Sequence, residues 1–168
     1  MALERNYIIS PNYLKENTVI ESNISDKILK SSILDSQNEE LVPIIGTALF
    51  NSVISKITQG TLAGEYKILV DNYIIPMLEK YSIINAMIFL DTQITQKGVV
   101  QKNSDNSEHL DSAEFNHRHK LLENKALRTK SNLTSFLKKN YASFTELTSS
   151  DWYSEVVLPM LDSSINLD

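Results

Sequence analysis

The sequence predicts an all-α fold: a bundle of four to five helices with a short extended β-like arm and a C-terminal tail. Three observations predict it. Apolar residues recur at spacings of three and four along most of the chain, which lines one face of a helix. Only four Gly and four Pro interrupt the 168 residues, and most fall where one helix could end and another begin. Hydrophobic residues make up 42% of the chain, enough for a domain of this length to bury about 70% of its unfolded surface. The helical domain is expected over residues 1–147 and the tail over 148–168.

Taken in order, Ser10-Pro11 reads as an N-cap followed by proline at the first helical position, opening a short helix to about Glu16. Ser25-Asp26 opens a second helix, DKILKSSILDSQ, with its acid in the first turn where the helix dipole favours it. Pro43 lets a third helix begin near Val42, with Gly46 close to its start, and Gly60 and Gly64 close and re-open the chain. A fourth helix spans about residues 65–93, interrupted or kinked at Pro76, whose ring crowds the carbonyl of Asn72. The β-like arm falls at residues 98–102, where Val99-Val100 follow Gly98 and no helical period continues. The polar stretch over residues 101–112 reads as a long loop. A last helix, about residues 111–140, places Phe115, Leu122, Ala126, Leu133, Phe136 and Leu137 on one face.

The most apolar segment, residues 73–90, has 13 hydrophobic residues in 18 but contains Glu79 and Lys80. Its longest charge-free piece after them falls well short of the roughly 20 residues a bilayer requires. It reads as a buried core helix, and no membrane partner is expected. The N-terminus has no apolar run behind a basic start, so no secretory signal is read there. The sequons at Asn23 and Asn132 are accordingly read as chance.

Reaction chemistry finds little to work with. The absence of cysteine removes thiol nucleophiles, disulfides and thiolate metal sites together. The four glycines form neither phosphate-cradling pattern, and no serine sits in a nucleophile elbow. His117 and His119 lie two residues apart, where helical side chains diverge by roughly 200°, so they make a poor metal pair. Glu39 and Glu40 are adjacent and diverge in the same way. The expectation is therefore no enzyme, no catalytic residue, no cofactor and no metal.

Charge is more informative. The chain carries −5 overall, yet residues 118–139 hold seven bases against Glu123 alone, a local +6 that leaves −11 elsewhere. Residues 146–168 hold five acids and no base. The basic helix fits a solvated face, an acidic protein surface or, less well for a net acidic chain, DNA phosphates. In the tail, Trp152, Tyr153, Val156, Val157, Leu158, Met160 and Leu161 are apolar and rimmed by acids, a composition suited to a groove on a neighbour or on its own bundle. The candidate interface residues are Val99 and Val100 of the arm, Arg118, Lys120, Lys125, Arg128 and Lys130 of the helix, and Trp152, Tyr153, Val157 and Leu158 of the tail.

The order ISPNYLKENTVI, NISDKIL, ELVPIIGTALFNSVISKI, YKILVDNYIIPMLEKYSIINAMIFL, KGVVQKNSD and LKKNYASF resembles the head-tail connector proteins of tailed bacteriophages, most nearly the adaptor or ring proteins of crAss-like and related Bacteroidetes phages. The resemblance covers roughly residues 6–147. It implies a homo-oligomeric ring, of twelve copies, beneath the portal vertex of the capsid. Such a ring is made in the host bacterial cytoplasm and resides in the virion neck. Its partners are the portal protein and further neck or tail proteins, and DNA passes through its channel without sequence-specific binding. The family offers no catalytic residues to carry over. The tail after Leu147 is longer than the resemblance leads one to expect. The alternative function is a cytoplasmic helical regulator that binds DNA or a host protein through the basic helix over residues 118–139.

Overall fold

Ser10 and Ser25 both cap helices. In the computed structural model, which describes residues 7–95, 98–101 and 112–148, the Ser10 Oγ accepts the Tyr13 N–H at 3.0 Å and opens α1 (Pro11–Asn17). The Ser25 Oγ accepts the Lys27 N–H at 3.3 Å and opens α2 (Asp26–Asp35). In each case a side-chain oxygen satisfies a backbone donor that a helix start leaves without an intrahelical partner.

The expected break between the second and third helices is absent. The backbone runs from α2 through a π turn, Ser36–Leu41, into α3 (Val42–Thr58), and the Val42 N–H reaches back five residues to the Gln37 carbonyl. A second π turn, Val70–Ile74, joins α4 (Gly64–Leu69) to α5 (Ile75–Asp91), with the Ile75 N–H on the Val70 carbonyl. Pro43 and Pro76 are each the second residue after a π turn. Proline has no N–H to donate and its ring crowds the carbonyl four residues back. Widening the preceding turn to five-residue bonding lets the helix continue past it.

The sharper change of direction is at Gly46, whose backbone (φ 75°, ψ 156°) departs from helical geometry inside α3. After α3, Gly60 (φ 67°) takes the left-handed position that ends the helix. The Thr61 N–H then bonds the Lys56 carbonyl at 2.9 Å and the Gly60 N–H bonds the Ile57 carbonyl at 3.1 Å, a Schellman closure.

The arm requires correction. The expected bundle with a lone extended piece at residues 98–102 and a fourth helix reaching residue 93 is not what forms. The helix ends at Asp91, and β1 (Thr92–Thr95) pairs antiparallel with β2 (Gly98–Gln101) in a two-stranded ribbon, with Ile94 opposite Val99 and Gln93 opposite Val100. Thr92, Ile94 and Thr95 are β-branched, as are Val99 and Val100, and such residues favour strands once a partner strand is available. The packed body is helical throughout, and no sheet enters it among the described residues. The expected tail falls almost wholly on residues 149–168, outside the described residues.

The chain resumes in α6 (Ser112–Asn140), turns through a 3₁₀ segment, Tyr141–Ser143, and closes the described body with α7 (Thr145–Thr148). α5 lies centrally, packed against α2 and α6, while α7 packs on α3. The core gathers Leu14 from α1, Leu29 and Ile33 from α2, Ile45 and Leu49 from α3, Leu69 from α4, Met77 and Leu78 from α5, Leu133 and Leu137 from α6, and Phe144. The stretches Asp26–Thr58 and Gly64–Leu90 are long and apolar enough to cross a membrane. Here these core residues turn their apolar faces onto each other and onto α6.

A polar layer crosses the core at the first π turn. The buried Ser36 hydroxyl donates to the Ser32 carbonyl at 2.7 Å and accepts from the Asn85 side-chain amide of α5 at 3.1 Å. The neighbouring Gln37 is also buried, and its Oε1 accepts the Ile8 N–H at 2.8 Å, tying the N-terminal segment to the bundle. Tyr13 fastens α1 to α5 by donating its hydroxyl to Glu79 at 2.9 Å.

Candidate interaction surface

α6 is 29 residues long and carries two stripes. Its inner stripe buries Ala126, Leu133 and Leu137, with Leu122 and Phe136 half-buried against the core. Its outer stripe is Arg118, Leu121, Lys125 and Arg128, at spacings of three, four and three, which stack on one flank of a helix. All four are exposed, and Leu121 keeps 48% of its surface in solvent. Five turns from Arg118, on the same line down the helix, stands Phe136.

Phe136 marks where the closing segment meets α6. It stacks on Tyr73 at 4.2 Å between ring centroids and meets Phe144 at 6.2 Å. Phe144 is fully buried and edge-on to Tyr66 at 5.2 Å. The Tyr66 hydroxyl donates to Glu146 Oε2 at 2.7 Å, and the Lys56 ammonium lies 4.4 Å above the Tyr66 ring. Burial alone would raise the Glu146 pKa. Hydrogen bonds from Ser52, Tyr66, its own backbone N–H and Thr145 outweigh that, and its carboxyl is held below the usual carboxylate range. The Tyr66 hydroxyl is pushed up by burial and by its bond to the Glu146 carboxylate. The end of α6, the 3₁₀ turn and α7 are thereby fastened against α3 and α4, which fixes where the chain leaves Thr148.

The structure spreads the expected interface residues over three places. Val99 and Val100 are in β2, on the ribbon that extends α5. Arg118, Lys120, Lys125 and Arg128 are exposed on α6, but Lys120 is on the other flank from the outer stripe. Lys130 is half-buried and its ammonium binds Glu40 Oε2 at 2.9 Å, tying α6 to the first π turn. It therefore holds the bundle together. Trp152, Tyr153, Val157 and Leu158 lie outside the described residues.

Sequence reasoning missed the exposed apolar residues Ile88 and Phe89 near the end of α5 and Leu121 and Leu127 on α6. The heptad spacing of Leu121 with Arg118, Lys125 and Arg128 was a usable signal for the outer stripe. Nothing in the spacing marked Ile88 or Phe89, which look like the buried residues before them.

Among the described residues, no three His, Cys, Asp or Glu side chains gather as a metal set. His119 instead pairs with Glu123 at 3.5 Å and lies beside Phe115, while His117 is exposed. A depression of about 320 Å³ is lined by Asn51, Ile54, Ser55, Thr58 and Gln59, all from α3 and its C-cap. One helix flank offers no second wall to converge polar groups on a ligand.

Residues 41–155 match the model of a family of unknown function (DUF6712). The chain belongs to the DUF6712 family. No curated protein and no solved structure matches it. The DUF6712 match begins in the first π turn and takes in α3 to α7, the ribbon and the outer stripe of α6. It continues past Thr148 through Asp151, Trp152 and Tyr153 to Glu155, so the family pattern includes the start of the acidic tail.

Proposed function

We propose that this chain is a structural virion protein of the phage neck, which assembles with further copies into a ring of twelve under the portal vertex and extends the channel for DNA. The observation that carries the reading is the β1–β2 ribbon, which follows directly on α5 and has no third strand among the described residues. A two-stranded ribbon is marginal alone, and its outer edges offer backbone groups to a strand from another chain. The unequal distribution of charge adds support. In a ring each copy presents two different surfaces to its neighbours, and a basic α6 on a chain that is acidic elsewhere supplies surfaces of opposite sign. A net acidic chain also suits a conduit, since strong phosphate binding would hold back the DNA it must pass.

Light scattering on the purified chain, alone and with portal protein, tests this. A closed oligomer or a portal complex is the expected result. A monomer or dimer that ignores portal protein overturns it. If that species also retards duplex DNA at physiological salt, the basic helix serves a regulator instead.

A further inference from the structure

The loop between α1 and α2 presents the most exposed large apolar side chain of the described residues, Val19, at 86%. Its neighbours set its direction. The Thr18 hydroxyl donates to the Leu14 carbonyl at 2.5 Å and accepts the Ile20 N–H at 3.2 Å, a local turn made by the side chain. Ile20 goes into the core and Val19 is left at the tip. The Lys15 ammonium closes the loop by binding Asp26 at 2.6 Å. Glu16 and Glu21, on either side of Val19, are exposed and make no ion pair among the described residues, and residues 16–25 hold no other charge. The loop is a fixed knob, one valine between two acids.

The outer stripe of α6 carries the complement. Leu121 shares its face with Lys125 and Arg128, one and two turns further along the helix. Both bases are exposed and make no ion pair among the described residues, and residues 124–139 contain no acid. Arg118, at the head of the stripe, already has an interaction of its own, and Lys130 is tied to Glu40. α1 packs on α2, while α6 packs on α5 and the second π turn, so the knob and the stripe belong to different parts of the bundle. Neither patch suits a copy of itself, because like charges would face each other. Two unlike patches on one chain make a head-to-tail contact that repeats from copy to copy, the geometry a ring requires.

We propose that Glu16, Val19 and Glu21 of one copy dock on Leu121, Lys125 and Arg128 of the next, so that a second copy of this chain covers the outer stripe of α6. The contact rests on the ring reading, since it needs assembly, and it acts beside the ribbon in the joint between copies. It also gives the joint a direction, from the α1–α2 loop to α6.

Charge reversal tests it, read by light scattering on the purified chain, alone and with portal protein. Lys125→Glu/Arg128→Glu and, separately, Glu16→Lys/Glu21→Lys should each raise the concentration at which the oligomer forms by about tenfold or more. Helical circular dichroism should stay intact, because all four side chains are exposed. Combining the four reversals in one chain restores opposite charges across the contact and should bring the oligomer back, as should mixing the two paired variants. Because the chain has no cysteine, a second measurement is available: Val19→Cys with Leu121→Cys should give a ladder of linked copies when the assembled chain is mildly oxidised. An unmodified chain that stays a single copy, alone and with portal protein, overturns the ring reading and this contact with it. If the unmodified chain assembles, the contact alone is overturned by either paired variant assembling equally well, by the combined variant failing to recover, or by a disulfide confined to one chain.

Discussion

Gly46 holds a backbone conformation that other residues essentially do not adopt, with φ 75° and ψ 156° in the middle of an otherwise helical stretch. Gly46→Ala is therefore expected to cost about 1–3 kcal/mol, the usual range for a side chain forced into such a region. Urea unfolding measures this, and Gly60→Asn is the control. Gly60 sits at a helix C-cap with open space around it, where asparagine is also tolerated, so its midpoint should move much less. Equal shifts for the two variants would mean that the backbone at Gly46 relaxes. Glu146 gives a second test at this scale. Its folded pKa lies below the ordinary carboxylate value, so the stability it contributes is present at neutral pH and lost as pH falls through that depressed value. Glu146→Gln should destabilise the chain at neutral pH, and its deficit against the unmodified protein should shrink in strong acid. A deficit that stays constant with pH would show that the hydrogen bonds matter and the charge does not. All four prolines and all four glycines are visible in the sequence, and so are the caps at Ser10 and Ser25. The bonds of Glu146 to Ser52 and Tyr66 are not, because they join positions some 80 and more residues apart.

Helix periodicity located the long elements because one apolar face per helix is a property of neighbouring residues. It could not show how the chain responds to Pro43 and Pro76. A proline in a helical pattern permits a break, a kink or a wider turn, and which one forms depends on what the flanking turns pack against. Here the first π turn places Ser36 where it receives the Asn85 amide, a contact absent from any local pattern. Ser36→Ala should thus cost about 1–3 kcal/mol, the range for leaving a buried polar partner without its bond, measured by the same unfolding curves. A near-neutral result would mean that Asn85, which is only half-buried, turns to water instead. The ribbon was half legible for a related reason. Val99-Val100 after a glycine signals extended chain, whereas Thr92–Thr95 continues an apolar helix whose end is set only by the strand it pairs with. The outer stripe of α6 was legible in charge, and its leucine was hidden among leucines that face inward.

At the scale of the whole molecule, the ring reading expects the helical body and the ribbon to be separable. The core residues named above, from Leu14 to Phe144, lie in the helical body, and β1 follows directly on α5 and contacts it. Val99 lies opposite Ile94 in the ladder, and proline there removes the backbone N–H that a strand needs on one side. If that N–H faces β1, Val99→Pro opens the ribbon; if it faces outward, the variant blocks a strand added from another chain. Either way, if the ribbon serves contacts between copies and not the fold, the body should melt at the temperature of the unmodified protein. Assembly should fail, with light scattering returning a single-copy mass both alone and with portal protein. A normal ring from Val99→Pro would remove the ribbon from the joint between copies. The joint would then have to come from helical surfaces, among which the exposed Ile88, Phe89 and Leu127 would be the next positions to charge. A lowered melting temperature would instead mean that the ribbon is part of the fold, and the separation of body from arm would have to be abandoned.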